Sequence, residues 1–334
     1  MSFGATIIDA EELRLTSNEK ALFREADPFG FILFARNLDT PDQIRALCDE
    51  MRAAVGRAAP ILIDQEGGRV QRLRAPLARV WHPPLDHVAL AGEGAERAMY
   101  LRYRLIADEL LALGIDGNCA PMVDLAGPRT HDFLRNRCYG TEPGAVARIG
   151  RAVAQGMLDG GVLPVLKHIP GHGRATMDSH HELPHVDADP EALDDTDFAA
   201  FRALNDLPMG MTAHLVYSAI DDLPATISPR MMALIREQIG FGGLIMTDDI
   251  SMKALSGSLA ELSEQSIAAG CDVVLLCNAT LEERAQVAEA AGRMGEAAQA
   301  RAEAALATRR APAPLDIDAA EAELARLMRG QVYG

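Results

Sequence analysis

Eight short apolar runs, separated by stretches with helical spacing, are the feature of this sequence that most restricts its fold. The runs predict strands at 6–8, 29–34, 60–63, 115–123, 163–166, 209–214, 243–246 and 272–277. Helices are predicted between them, among others at about 17–25, 41–55, 93–113 and 143–159. Runs without polar alternation are typical of a parallel sheet covered by helices. The pattern therefore predicts an α/β fold, a (β/α)8 TIM barrel.

A doubly wound open sheet is the alternative with the same alternation. Two observations favour the barrel: no Gly-rich dinucleotide or phosphate loop follows the first run, and polar residues follow almost every run. These strand-end candidates are Asp64, Asp124, Lys167, His168, His214, Asp248 and Asn278. Because no linker divides the sequence, we predict a single barrel domain over residues 1–334, with additional C-terminal helices.

The composition limits the classes of partner. A net charge of −16 argues against nucleic acid and against an anionic membrane surface. The sequence shows neither an apolar stretch of membrane-spanning length nor a signal peptide. Its five cysteines, at 48, 119, 138, 271 and 277, are odd in number and lack framework spacing, which indicates reduced thiols. We therefore expect a cytoplasmic protein, and a monomer, that takes a small molecule as its partner.

The segment at 163–184, LPVLKHIPGHGRATMDSHHELP, contains the densest group of titratable side chains. Five of the nine histidines lie between positions 168 and 185. Proline and glycine residues after His168 end the fifth strand, so this group lies in a loop at the carboxyl end of a strand. Since histidine titrates near neutral pH, the cluster favours a chemical role over a merely solvated loop.

Zinc-dependent hydrolysis is one chemistry that this loop allows. His168, His172, Asp178, His180 and His181 are suitable zinc ligands. Their spacing is not a recognised ligand pattern, however, and catalytic zinc in barrels usually takes ligands from several strands. A zinc-dependent barrel hydrolase is therefore kept as the alternative function.

Glycoside hydrolysis is the other chemistry. It needs one group that protonates the leaving oxygen and a second that attacks or stabilises the anomeric carbon. A strand-end carboxylate such as Asp248 can attack. Asp178 and His180 are two residues apart, and in extended backbone they point the same way, so a hydrogen bond between them is feasible. From the residues alone, Asp178 could equally cap a turn.

Several motifs together resemble one family. KHIPGHG followed by DSH, together with IDQEGGRVQR, RNRCYG and TDDISM, closely resembles glycoside hydrolase family 3, from about Gly30 to Cys277. The match is to its single-domain bacterial β-N-acetylglucosaminidases (β-hexosaminidases) of peptidoglycan recycling. The resemblance implies a (β/α)8 barrel that needs no metal or organic cofactor. It also implies removal of terminal β-linked N-acetylglucosamine, with retention, through a covalent glycosyl-enzyme. The expected substrates are muropeptide fragments carrying 1,6-anhydro-N-acetylmuramic acid, with or without peptide.

The resemblance also implies roles for individual residues. His180, paired with Asp178, would be the general acid/base, and Asp248 would be the nucleophile. The sugar-binding positions would be Asp64, Arg72, Arg137, Lys167 and His168.

Some alternatives stay open at this point. The residues alone choose poorly between Asp248 and Asp249, because Asp249 could cap the helix that follows. Arg72 and Arg137 could also be surface arginines. A sugar-binding protein that has lost catalysis is a further reading of the same fold.

Overall fold

In the computed structural model, which describes residues 2–177, 179 and 182–334, eight parallel strands close into a barrel. They are β1 (Gly4–Ile8), β2 (Pro28–Leu33), β3 (Ile61–Ile63), β4 (Gly117–Asn118), β5 (Leu163–Ile169), β6 (Met209–Thr212), β7 (Leu244–Asp249) and β8 (Val273–Leu276). The strands pair in chain order, and β8 closes onto β1 through the pair Ile7–Leu275. The predicted (β/α)8 barrel is confirmed.

Helices form the outer layer of the barrel. Within the described part of the chain they are α1 (Ser17–Ala26), α2 (Pro41–Val55), α3 (Pro84–Ala91), α4 (Ala95–Ala112), α5 (Asp132–Arg135), α6 (Pro143–Asp159), α7 (Pro190–Asp195), α8 (Asp197–Arg202), α9 (Pro229–Glu237), α10 (Leu259–Ala269), α11 (Leu281–Ala291), α12 (Glu296–Ala307) and α13 (Ile317–Leu327). None of these helices is both long and apolar enough to cross a membrane.

Helix α2 shows how the sequence sets the bounds of a helix. The side chain of Thr40 accepts a hydrogen bond from the N–H of Gln43, and Pro41 occupies the first helical position. Gly56, at φ 67°, ends the helix in the left-handed region. One face is buried against the barrel, at positions three or four apart: Ile44, Leu47, Cys48 and Met51. The bounds predicted for α2 and for α6 are confirmed.

The fourth strand is much shorter than the run that predicts it. Only Gly117–Asn118 is regular, because Pro121 has no N–H to donate to a ladder. The chain nevertheless stays beside β5: Lys167 donates its N–H to the Pro121 carbonyl, and the N–H of Val123 bonds to the Lys167 carbonyl, both at 3.0 Å. The backbone of Lys167 is therefore fixed by this irregular segment.

Strands β5 and β7 extend beyond the apolar runs that predict them. β5 continues to Ile169 and β7 to Asp249, so the polar residues expected at the strand ends, Lys167, His168 and Asp248, lie on the strands themselves. Side chains on barrel strands are placed more precisely than side chains on loops. All five cysteines are buried and unpaired. The extent of the single domain, 1–334, stays a prediction.

Candidate active site

A cavity of about 230 Å³ opens at the carboxyl ends of the barrel strands. Six of the eight residues predicted for the site line it: Asp64, Arg72, Arg137, Lys167, His168 and Asp248. They come from segments far apart in the sequence, which the barrel brings to one end. The other two, Asp178 and His180, lie outside the described residues.

Asp64 follows β3 directly and is held by two cations. Its Oδ2 accepts a hydrogen bond from Arg72 Nη2 at 2.9 Å, and its Oδ1 accepts one from Lys167 Nζ at 3.1 Å. Burial alone would raise the pKa of Asp64, but the charges of Lys167 and Arg72 outweigh burial and lower it. Asp64 is therefore an ionised acceptor in the cavity.

A tight hairpin brings Arg72 back to Asp64. Gln65 Oε1 accepts the backbone N–H groups of Arg72 and Leu73, both at 3.0 Å, and so closes the turn. Gly67 has φ 110°, and a Cβ at this position would lie 1.8 Å from Arg102 Nη2. The turn therefore requires glycine at position 67. These contacts account for Asp64, Gln65, Gly67 and Arg72 in the motif IDQEGGRVQR.

Glu66 is a site residue that the sequence analysis did not identify. It accepts Arg137 Nε at 2.9 Å and Arg137 Nη2 at 2.7 Å, and Lys167 Nζ lies 2.6 Å from its Oε1. Burial would raise the pKa of Glu66, but the charges of Arg137 and Lys167 lower it to about 2. Arg137 is therefore a buried, paired cation, whereas Arg72 is half-buried. The only signal for Glu66 was an acidic residue between a strand end and two glycines.

Asp124 orients the histidine of the KH pair. His168 Nδ1 lies 2.6 Å from Asp124 Oδ2, and the backbone N–H of His172 bonds to Asp124 Oδ1 at 2.6 Å. Burial opposes ionisation of Asp124, but the charge of His168 outweighs it and lowers the pKa of this carboxyl. The other ring nitrogen of His168, Nε2, lies 4.0 Å from Asp248 Oδ2.

The neighbouring carboxylates at the end of β7 have different surroundings. Asp249 accepts the N–H groups of Ser251 at 3.0 Å and Cys277 at 3.1 Å, and the Ser251 hydroxyl at 2.7 Å. Burial raises the pKa of Asp249 to about 6. Burial also opposes ionisation of Asp248, but the charges of His168 and His214 lower its pKa. Asp249 thus holds its own turn together, while Asp248 is kept ionised beside His168.

The described part of the His-rich loop is packed on the cavity wall. His172 Nε2 lies 3.2 Å from Ser179 Oγ, and the His172 ring packs edge-on against His168. Burial lowers the pKa of His172 to about 4. Within residues 2–177, 179 and 182–334, no three His, Cys, Asp or Glu side chains are grouped to hold a metal ion. The remaining proposed zinc ligands, Asp178, His180 and His181, lie outside those ranges.

Apolar side chains complete the wall of the cavity, and the sequence analysis did not identify them as site residues. They include Ile32, Phe34, Val70, Phe133, Leu134 and Met252. At the rim, the Arg69 guanidinium lies 3.8 Å from the centre of the Phe133 ring. No pattern in the sequence separates these residues from the apolar residues of the core.

Comparison with known proteins places this architecture in a family. The model of the glycosyl hydrolase family 3 N-terminal domain matches residues 8–309. A beta-hexosaminidase from Alkalilimnicola ehrlichii is 40% identical over 288 residues, which cover 83% of this chain and 82% of the relative. The crystal structure of native NagZ from Neisseria gonorrhoeae has a TM-score of 0.88 and 30% identity, with 98% of each chain covered. A family 3 beta-N-acetylglucosaminidase from Paenibacillus sp. has a TM-score of 0.82 and 30% identity, covering 99% of this chain and 62% of the other.

Proposed function

The chain belongs to glycosyl hydrolase family 3, and from that premise we propose that it is an exo-acting β-N-acetylglucosaminidase that retains the anomeric configuration. The family match confirms the resemblance seen in the motifs. The names of its relatives support the choice of sugar, since they include a beta-hexosaminidase and a beta-N-acetylglucosaminidase.

The observation that carries the proposal is the arrangement of groups around one small cavity. Asp64, Arg72 and Lys167 form a linked set of acceptors and donors suited to sugar hydroxyls, and Asp248 lies beside His168 in the same cavity. The volume of about 230 Å³ is below the ~300–1,000 Å³ of common ligand pockets. A pocket of this size suits one sugar residue, which supports action on a chain end.

The mechanism follows from the chemistry of these groups. Asp248 attacks the anomeric carbon while His180 protonates the oxygen of the leaving group, and a covalent glycosyl-enzyme forms. His180 then takes a proton from water, which attacks the same carbon and displaces Asp248. Two inversions give net retention. Asp178 stabilises the protonated form of His180; the roles of these two residues rest on the sequence motif.

The natural substrates follow from the motif resemblance. They are peptidoglycan turnover fragments in which N-acetylglucosamine is linked to 1,6-anhydro-N-acetylmuramic acid, with or without a peptide. The product would be free N-acetylglucosamine, and the reaction would take place in the cytoplasm.

Comparing two aryl glycosides in the presence of a metal chelator tests the proposal. The purified protein should hydrolyse the aryl β-N-acetylglucosaminide far faster than the aryl β-glucoside, and the chelator should change neither rate. Loss of activity with chelator, restored by added zinc, would support the zinc-dependent alternative. Absence of turnover despite binding of N-acetylglucosamine would indicate a sugar-binding protein without catalysis.

A further inference from the structure

Glu66 is a buried carboxylate whose side chain the proposed mechanism does not use. Only 1% of its side chain is exposed, and both of its oxygens are occupied. Oε2 accepts Arg137 Nε, while Oε1 accepts Arg137 Nη2 and is 2.6 Å from Lys167 Nζ. Its position therefore excludes contact with a sugar, whereas its two cationic partners line the cavity.

We infer that Glu66 is a positioning residue, which fixes the direction and the charge of the N–H groups that Lys167 and Arg137 offer to the sugar. This inference rests on the proposed function of the cavity and adds a residue that determines its affinity.

The partners of Lys167 show what Glu66 fixes. Among the described residues, Lys167 Nζ donates a hydrogen bond to Asp64 Oδ1 at 3.1 Å and forms an ion pair with Glu66 Oε1 at 2.6 Å. The two carboxylates of the turn therefore hold the ammonium in one place. Lys167 lies on β5, whose backbone is hydrogen-bonded to the chain on both sides. Both the backbone and the ammonium of Lys167 are therefore held in place.

Arg137 is held in the same way. Its Nε and Nη2 meet the two oxygens of Glu66 in the bidentate geometry that makes arginine–carboxylate pairs directional. The N–H groups of Nη1 lie on the other edge of the guanidinium plane, away from Glu66. The bidentate pair with Glu66 thus holds that edge of the Arg137 guanidinium in one orientation.

The backbone of Glu66 is anchored as firmly as its side chain. The buried Arg102 donates a hydrogen bond to the Glu66 carbonyl, and Tyr103 donates another at 3.4 Å. Glu66 therefore transmits the rigidity of α4 to the cations that line the cavity.

The effect of Glu66 on the charge of Lys167 distinguishes a positioning residue from a purely structural ion pair. The charged and titratable groups around Lys167 are Asp64, Glu66, Arg137, Cys119, Tyr103 and Asp248. Burial raises the pKa of Cys119 and Tyr103, so both stay neutral. Although burial opposes the charge of Lys167, Glu66 and Asp64 outweigh it and raise the pKa of the ammonium. Without the charge of Glu66, that pKa should fall.

The test is the affinity of free N-acetylglucosamine for Glu66→Gln, measured calorimetrically from pH 6 to pH 10. Because the variant loses the negative charge that holds both Lys167 and Arg137 in place, its Kd at neutral pH should rise about ten- to a hundredfold. The Kd should rise further towards pH 10, where the ammonium of Lys167 loses its proton. The wild-type Kd should stay constant over this range.

Asp272→Asn is the matched control. Asp272 is also a buried carboxylate between two cations, Arg236 and Arg301, but it stands at the amino end of β8, away from the cavity. The control should keep the wild-type Kd at every pH, even if its stability falls. Equal losses of affinity in the two variants would overturn the inference, because they would report a general loss of structure.

Glu66→Asp keeps the test decisive if Glu66→Gln does not fold. The shorter carboxylate retains its charge but cannot reach both cations. Its Kd should therefore rise at neutral pH and show no additional rise towards pH 10. A wild-type Kd in a folded variant at position 66 would overturn the role of Glu66 alone. Absence of both sugar binding and aryl hexosaminide hydrolysis in the wild type would instead overturn the proposed function.

Discussion

In the cavity, Asp64 joins two cations from different parts of the sequence, Arg72 eight positions later and Lys167 more than a hundred positions later. Arg72 returns from a hairpin and Lys167 comes from β5, so the carboxylate is ionised and both of its oxygens are directed by a partner. Sugar hydroxyls can donate to an ionised carboxylate in charge-assisted hydrogen bonds, which are stronger than neutral ones. Removal of the Asp64 side chain should therefore lower activity strongly.

We expect Asp64→Ala to lower kcat/KM by at least about a hundredfold, since charge-assisted hydrogen bonds contribute about 1.5–3 kcal/mol each. Steady-state kinetics on an aryl β-N-acetylglucosaminide measures this, with circular dichroism to establish that the variant is folded. Asp206→Ala, which removes an exposed carboxylate paired with Arg151, is the control and should leave kcat/KM unchanged. A near-wild-type kcat/KM for Asp64→Ala would remove Asp64 from the sugar pocket.

His180→Ala should separate the two steps of the mechanism. A nitrophenolate leaves without help from an acid, so the variant should still become glycosylated at Asp248 and release a burst of phenolate. The second step lacks its base and should be slow, and azide, which needs no base, should accelerate turnover and yield a β-glycosyl azide. Natural disaccharide needs the proton from His180, so its loss of activity should exceed that of the aryl substrate by about 10²–10⁴-fold.

Intact-mass spectrometry of His180→Ala mixed with the aryl substrate would detect the trapped glycosyl adduct. Equal losses on the natural and the aryl substrate, with no burst and no effect of azide, would assign His180 to sugar binding or metal binding instead.

Most residues of this site could be predicted from motifs, but the hydrogen bonds and ion pairs between them could not. Asp64, Arg72 and Lys167 were predicted because family motifs mark them. Glu66 was missed because a carboxylate next to glycines carries no sign of what it faces. Only the fold shows that Arg137, 71 positions later, meets it.

At the scale of the elements, the hairpin after β3 determines whether the site can form. Gly67 turns the chain at φ 110°, directly against the buried guanidinium of Arg102. Any side chain there must displace Arg102, which also bonds to the carbonyl of Glu66. Direct contacts therefore link the turn to helix α4 and to the cations of the cavity.

We expect Gly67→Ala to destabilise the protein by about 1–3 kcal/mol more than Gly257→Ala, and to lower activity. Gly257 is a matched control, because its φ of 135° is also positive but the nearest atom to an added Cβ lies at 3.6 Å. The free energy of unfolding in urea measures the difference. Equal destabilisation of the two variants would show that backbone strain, and not the contact with Arg102, accounts for the requirement for glycine.

The sequence predicted elements well where capping and periodicity agree. The bounds of α2 follow from Thr40, Pro41 and Gly56, each of which has a local reason to stand there. β4 was predicted too long because its apolar run continues through Pro121, and apolar character alone does not reveal a missing ladder donor. The apolar runs of β5 and β7 stop before the strands do, because Lys167 and Asp248 are polar residues on buried strands.

At the scale of the whole molecule, the acid sensitivity of the fold should reflect its buried carboxylates. The pKa values of Asp64, Glu66, Asp124 and Asp248 are lowered in the folded protein. Their contribution to stability is complete above the ordinary carboxyl pKa of about 4 and is lost as the pH falls towards the folded values. Asp249 has the opposite sign, since burial raises its pKa to about 6.

Comparing the wild type with Asp249→Asn measures the contribution of Asp249 to the pH dependence of stability. The favourable contribution of Asp249 is present below about pH 4, and it is lost as the pH rises through the folded pKa of about 6. The stability of the wild type relative to the variant should therefore decrease between about pH 4 and pH 6 and stay level above that range. Urea unfolding of both proteins across these pH values measures the difference. A constant difference would show that Asp249 ionises normally.

The alternation of apolar runs and helical stretches predicted a parallel sheet covered by helices. The polar residues after almost every run favoured the barrel over an open sheet, because they indicate an active site built at many strand ends. The same pattern could not place the cavity wall, since Phe34 and Met252 have no distinguishing position in the sequence. Asp178 and His180 lie outside the described residues, so their geometry stays a prediction.

Retention through a covalent intermediate on Asp248 is the central claim, and the configuration of the first product tests it most directly. Proton NMR can follow hydrolysis of an aryl β-N-acetylglucosaminide before the released sugar equilibrates in water. Because a carboxylate nucleophile gives two inversions, the first N-acetylglucosamine to appear should be the β anomer. Initial release of the α anomer would contradict Asp248 as a covalent nucleophile.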